Sequence, residues 1–345
     1  MSKYRAAIIG CGGRSRPHIQ AYTHIDAAEV VACCAPTPTR RDPLAAEFGI
    51  RAYADPREMI EKEKPHLVHL VTWPDTRVEL MSLMAELDVP LCTVEKPIAV
   101  AVADWKALCA LEEKSTTRFA VCHQFRWQPH IVKCRQALAS GALGDLKFLD
   151  ISAGMNISGQ GTHILNYGMS LNQDIPVTRV FGAASGTAGM IGGPPAPDTT
   201  VGYLTFANDV RALWNNGPTA PTCGGPSTEW QHVRVAAHAA RGRVNFEEFG
   251  KWKIVSPEGT ESGDFGDMET WMANNLRAQA AFHQAMFTWL EDKTRIPGTN
   301  LKQSLHEWQV VLALYTSAVE RRPIEIADFD PPEDIFQQLE VALTS

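Results

Sequence analysis

Two short segments of this chain hold residue types at spacings that can do chemistry. In the first, Tyr4-Arg5-Ala6-Ala7-Ile8-Ile9 runs straight into Gly10-Cys11-Gly12-Gly13-Arg14, and helical sequence follows from about Pro17. Gly10 permits a tight turn and Gly12 a close backbone approach. A helix start then offers free N–H groups, and together these suit the pyrophosphate of a dinucleotide. Ser15 stands where the third glycine of the usual pattern falls. A plain strand-to-helix connection uses glycines in the same way, so context has to decide. In the second segment, Val94-Glu95-Lys96-Pro97 closes a strand-like run. The carboxyl edge of a parallel sheet is where ligands bind. A lysine there, partly desolvated beside a cationic ring, releases its proton more readily and suits proton transfer, while pairing with Glu95 opposes that shift. Pro97 biases Lys96 toward extended backbone and makes the Lys96–Pro97 bond a candidate for the cis form.

The end of the second strand adds a preference. Dinucleotide sites that select NAD place an acidic residue there to hold the ribose 2′-hydroxyl. Here Val30-Val31-Ala32-Cys33-Cys34 leads into Ala35-Pro36-Thr37, with Thr39, Arg40 and Arg41 close behind. Without a carboxylate nothing repels a 2′-phosphate, and an arginine attracts it. The expected cofactor is NADP in preference to NAD, with Thr37 and Arg40 among its contacts. Read without a ligand, the two arginines are a solvated helix start.

These segments need elements to hold them. Over residues 1–122, strand-like runs at 4–9, 29–34, 50–53, 67–71, 91–94 and 118–121 alternate with helical stretches at 17–22, 43–48, 56–63, 77–87 and 102–114. The alternation predicts an α/β domain with a Rossmann-type, doubly wound parallel sheet. Pro43 and Pro56 suit first helical turns, with Asp42 and Asp55 as caps. A helix at 129–140 follows, and the texture then changes. Strand-like runs at 146–152, 178–186, 199–207, 210–215, 229–237, 242–246 and 251–255 are separated by Gly, Pro and Asn turns. No helix intervenes, which predicts a large, mostly antiparallel open sheet. Stretches 192–197 and 215–226 are loop-rich, and helices at 271–291 and 301–321 close the chain. The division expected is a nucleotide-binding domain over 1–122 and an α+β domain over 123–345 for substrate and oligomerisation.

Composition narrows the class. A chain of 345 residues, 45% hydrophobic, has material for two cores. A net charge of −7 and the lack of a lysine/arginine block argue against a nucleic-acid partner. No apolar run approaches the ~18 residues that span a bilayer, so no membrane partner is expected. The first strand-like run begins by residue 4, too early for a signal peptide to precede it. The eight cysteines form no C-x-x-C pair and several lie in apolar runs. They read as buried thiols of a reducing compartment, hence the cytoplasm. Metal-ligand spacing is absent, and no metal is expected.

With these residues in view, the chain resembles the Gfo/Idh/MocA family of oxidoreductases. The likeness rests on Ile8-Ile9-Gly10-Cys11-Gly12-Gly13-Arg14, on Glu95-Lys96-Pro97 and on His123-Gln124-Phe125-Arg126-Trp127. It extends through Ser140-Gly141-Ala142-Leu143-Gly144, Gly161-Thr162-His163 and the closing Ser317-Ala318-Val319-Glu320-Arg321-Arg322-Pro323-Ile324. The resemblance implies a Rossmann domain, a second domain whose open sheet often forms a homodimer or homotetramer, and nicotinamide-dependent chemistry on sugars, polyols or keto-sugars. It implies that Lys96 contacts substrate and takes part in proton transfer, and that His163 matches the histidine of an Asp-x-Gly-x-His segment at the reacting carbon. It implies cofactor or substrate contacts at Gly13, Arg14, Thr72, Trp73, Glu95, Gln124 and Arg126, while Asn156 is a candidate substrate contact from the second domain. The pattern departs at two places. Gly159 replaces the aspartate, and Asn166 replaces an acid often found three residues after the histidine. A carboxylate relay from position 159 is therefore missing, with Asn166, a water or another residue as substitute. Two further readings stay open: redox-neutral glycoside cleavage or epimerisation with tightly bound NAD, and a cofactor-binding sensor without catalysis.

Overall fold

The apolar runs of the N-terminal third become six strands in the computed structural model, which describes residues 4–191, 193–223, 228–264 and 267–344. They are β1 Tyr4–Ile9, β2 Ala28–Cys34, β3 Arg51–Tyr53, β4 Leu67–Leu70, β5 Leu91–Val94 and β6 Arg118–Val121. The sheet order is β3-β2-β1-β4-β5-β6, and every pair is parallel. All four residues of β4 and of β5 are buried. Strands covered on both faces have no solvent side, so they read as nearly unbroken apolar runs. The connecting helices are α1 Ser15–Gln20, α2 Pro38–Phe48, α3 Pro56–Glu63, α4 Arg77–Glu86 and α5 Val102–Lys114.

Local chemistry sets these boundaries, in places against expectation. Asp55 caps α3 by accepting from the Glu58 N–H at 2.8 Å, with Pro56 in the first turn. α2 starts five residues earlier than expected: Pro38 occupies the first turn and Pro43 lies inside the helix. Asp42 is therefore no cap and pairs instead with Arg41 at 2.7 Å. Pro43 removes one backbone donor from the helix. Glu63, buried at the end of α3, accepts from Arg5 at 2.5 Å and from Arg51 and Tyr53, which ties the helix to β1 and β3.

Among the described residues the second sheet has nine strands: β7 Leu146–Ala153, β8 Val177–Ser185, β9 Thr199–Phe206, β10 Arg211–Asn216, β11 Val233–Ala239, β12 Gly242–Glu247, β13 Trp252–Ser256, β14 Gly259–Gly263 and β15 Ile324–Glu325. Its order is β14-β13-β12-β11-β7-β10-β9-β8-β15, antiparallel throughout except for the parallel pair β7–β10. Residues 229–231, expected in a strand, form a short 3-10 turn before β11. Alternation along the strands buries Val180, Leu204 and Trp214 on one face. The opposite face carries Phe181, Tyr203 and Leu213, which stand in register and are 49%, 46% and 36% exposed. The helices of this part are α6 Pro129–Ala139, α7 Thr162–Leu171, α8 Met268–Glu291, α9 Leu301–Glu320 and α10 Ile335–Thr344. Of the loop-rich stretches, residue 192 and residues 224–226 lie outside the described residues.

The chain divides into two compact units, Met1–Gln124 with Asn275–Leu305, and Phe125–Asn274 with His306–Ser345. The returning segment completes the first unit. Tyr4 stacks on Phe287 with ring centres 4.9 Å apart, the Val121 N–H donates to the Thr299 carbonyl at 2.8 Å, and Trp105 Nε1 donates to the Leu305 carbonyl at 3.0 Å. No helix among the described residues is long and apolar enough to cross a membrane.

Candidate active site

In the first unit the glycine turn forms at the carboxyl end of β1, as its sequence predicts. Gly10 has φ +104°, and a Cβ there would lie 2.2 Å from the Val71 carbonyl oxygen, so no other residue fits. A Cβ on Gly12 or Gly13 would meet nothing within 4 Å. Ser15, at the third glycine position, is buried, and its hydroxyl donates to the Gly10 carbonyl at 2.7 Å. The substitution thus closes the turn from within. Thr37 flanks α2, and both it and Arg40 are exposed near the end of β2, while Arg41 is engaged by Asp42 and the Ala35 carbonyl.

The ends of β4 and β5 are joined by an arginine. Arg77 is buried and donates to Thr72 Oγ1 at 2.9 Å, to the Trp73 carbonyl at 3.3 Å and to the Glu95 carbonyl at 2.9 Å. Burial brings its guanidinium down to about 10. Trp73 beside it is 69% exposed. Glu95 accepts from Arg14 Nε at 3.0 Å and from His18 Nε2 at 2.8 Å. Burial opposes ionisation of this carboxyl, but Arg14, His18 and Lys96 outweigh it and hold Glu95 well below the usual carboxylate range. Burial pushes His18 down, and Glu95 only partly restores it. The Lys96–Pro97 bond is cis, and Lys96 is half-buried. Gln124 is buried and accepts from the Cys122 thiol at 3.4 Å.

In the second unit, His163 lies in the first turn of α7, 6% exposed, with the Phe125 ring centred 5.0 Å from it. The turn feeding α7 is a π-helix over Ile157–Gly161, capped by Asn156, whose side-chain oxygen accepts from the Gly159 N–H at 2.9 Å. Wide turns of this kind cluster at functional sites. Position 159 has little room: a Cβ there would fall 2.8 Å from Met155 Cβ. Introducing an acid there as Gly159→Asp is expected to cost about 1–3 kcal/mol by overpacking and to leave kcat no higher. Thermal unfolding and steady-state rates check this, and a variant as stable as wild type with raised kcat refutes it.

A carboxylate reaches the same helix by another route. Asn166 is fully buried, and its amide donates to Glu307 Oε1 at 2.5 Å, while Arg126 donates to its oxygen at 3.5 Å. Arg126, 5% exposed, is also paired with Asp174. Glu307 and Asp174 escape a reading of the sequence because each lies far from the motif it serves. Glu307 is 141 residues from Asn166.

Residues 4–123 match the model of the oxidoreductase family with an NAD-binding Rossmann fold. Over those residues this chain is similar to the Gfo/Idh/MocA family. Its relatives include the D-apiose dehydrogenase of Paraburkholderia graminis, 27% identical over 357 residues that cover 96% of this chain and 92% of that protein. The rhizopine catabolism protein MocA of Rhizobium meliloti is 25% identical over 146 residues, 42% of this chain and 45% of that protein. The fold matches the structure of an Agrobacterium radiobacter oxidoreductase in complex with NAD+, L-tartaric acid and magnesium. That match has a TM-score of 0.81 at 20% identity, and covers 94% of this chain and 99% of that one. The turn lies within the matched residues and fits the NAD-binding Rossmann fold that the family model describes: Gly10 is pressed against the sheet while Gly12 and Gly13 leave backbone open to an approaching phosphate.

Proposed function

We propose that this chain is an NAD(P)-dependent dehydrogenase or reductase of a sugar, cyclic polyol or keto-sugar, with Lys96 and His163 handling the proton. The observation that carries it is the anchoring of Glu95-Lys96. A buried arginine holds the Glu95 backbone and two side chains hold its carboxylate, so the next residue leaves a fixed strand end. A bound nicotinamide supplies the hydride acceptor or donor. Lys96 holds or moves the proton at the substrate oxygen, and the adjacent Glu95 carboxylate keeps local charge balanced. His163 is the second proton-handling group, oriented against Phe125. Asn166 stands in for the missing acid by presenting its amide between Arg126 and Glu307. The D-apiose dehydrogenase relative supports a small free carbohydrate as substrate. The test is a panel of pentoses, hexoses and inositols with both cofactors, followed by absorbance of the reduced nicotinamide. Conversion of a panel member with net cofactor reduction supports the reading. Products without net cofactor change overturn it in favour of redox-neutral chemistry.

NADP is the preferred cofactor in this reading, with Arg40 as the 2′-phosphate contact. Arg40→Ala is expected to raise the KM for NADP about tenfold and leave that for NAD within about twofold. Equal effects on both remove Arg40 from this role. The same reading makes the protein a homodimer or homotetramer, supported by the exposed row Phe181, Tyr203 and Leu213 on the open sheet face. Phe181→Lys with Tyr203→Glu is expected to shift sedimentation to the monomer. An unchanged sedimentation coefficient places the contact elsewhere.

A further inference from the structure

Three imidazoles meet in the interior of the first unit, and the reaction proposed above uses none of them as a proton-transfer group. His18 comes from α1, His69 from β4 and His283 from the part of α8 that returns to this unit. All three are 0–1% exposed. One ring nitrogen from each lies within 4.8 Å of the others. The His69 and His283 ring centres are 4.2 Å apart, and those of His18 and His283 are 5.2 Å apart.

Hydrogen-bond arithmetic leaves this cluster unfinished. Glu95 Oε1 accepts from Arg14 and is the acceptor of the 2.8 Å contact to His18 as well, so His18 Nε2 carries hydrogen. Arg14 Nη2 lies 3.0 Å from Gln279 Oε1, and because a guanidinium only donates, the Gln279 amide orientation is fixed. Gln279 Nε2 then donates into His283 Nε2 at 2.9 Å, which makes that nitrogen an acceptor. The remaining contact, His18 Nδ1 to His283 Nε2 at 3.2 Å, sets one lone pair against another when His18 is neutral. His283 Nδ1, on the far side of the ring, is buried with no hydrogen-bond partner.

We propose that His18, His69 and His283 bind one divalent transition-metal ion, with His18 Nδ1 and His283 Nε2 as two of its ligands. Their separation matches the ~3.3 Å ligand edge of a tetrahedral site built on metal–nitrogen bonds of about 2.0–2.1 Å. Two of the three imidazoles have the outer partners that metal-bound imidazoles use. Glu95 takes the far N–H of His18, and Thr93 Oγ1 lies 2.6 Å from Nδ1 of His69, so that His69 presents Nε2. Tyr22 Oη, 2.7 Å from His69 Nε2, is the nearest further oxygen. Closing on the ion draws His69 inward and displaces the Gln279 amide. An all-imidazole set selects zinc, cobalt or nickel over magnesium or calcium. Full burial gives the ion a structural role, clasping α1, β4 and α8.

The experiment uses the full chain, stripped with EDTA, dialysed and titrated with cobalt(II). The expected result is about one cobalt per chain with the visible ligand-field bands of a four-coordinate site. His18→Gln and His283→Gln are each expected to weaken binding at least tenfold, while the exposed control His24→Gln binds as wild type. Folding of each variant is checked by circular dichroism. Wild-type protein that takes up no stoichiometric cobalt overturns the proposal, as does unchanged binding by folded His283→Gln. Should both variants fail to fold, imidazole nitrogen shifts of the wild type on zinc addition decide: movement at His18 and His283 supports the site, and unmoved signals refute it.

Discussion

Lys96→Met is expected to lower kcat about a thousandfold while the dissociation constant for reduced cofactor stays within about threefold of wild type. The size follows from the role. A positioned acid or base contributes about 10²–10⁴-fold, and a thioether of similar length takes no proton. The selectivity follows from the anchoring. Glu95 keeps Arg14 and His18, and Arg77 keeps the backbone at the ends of β4 and β5, so the strand end survives the loss of one side chain. Steady-state rates and cofactor fluorescence titration separate the two quantities. Turnover within about tenfold of wild type would take Lys96 out of the chemistry.

Gly10→Ala is expected to cost roughly 3 kcal/mol of stability and to abolish measurable cofactor binding. Two costs coincide at this residue. A backbone at φ +104° is one that L side chains rarely adopt, and the new Cβ would stand 2.2 Å from the Val71 carbonyl oxygen, where only backbone can yield. Relief means prising β1 from β4 or reshaping the turn that Ser15 closes. Thermal unfolding and calorimetric titration with NAD read the two losses. A variant with wild-type Tm and affinity would show that the turn is not rigidly held.

Much of the fold is legible in the sequence because its causes are local. The apolar runs behind β1, β2, β4, β5 and β6 are legible, since a buried strand has to be apolar nearly throughout, and alternation in β8, β9 and β10 reports a sheet with one covered face. The glycine turn and Glu95-Lys96-Pro97 are legible because consecutive residues carry them. What escapes is set at long range or by geometry that period does not encode. Pro43 reads as a helix start, yet Pro38 supplies that start and the helix tolerates the second proline. The π-turn at Ile157–Gly161 has no apolar period to announce it. The Asn166–Glu307 pair and the His18–His283 contact join residues 141 and 265 positions apart, and only tertiary packing brings such partners together.

The return of Asn275–Leu305 to the first unit bears on how the protein is made. A ribosome delivers β1 to β6 long before it delivers Phe287, Thr299 and Leu305, the partners that Tyr4, Val121 and Trp105 await. Folding that starts at the N-terminus during synthesis therefore stalls with an unsealed flank on the nascent nucleotide-binding domain. A fragment ending at Gln124 carries that flank permanently, so expression trials that truncate there select for aggregation, whereas co-expressing the missing stretch in trans offers a route to rescue.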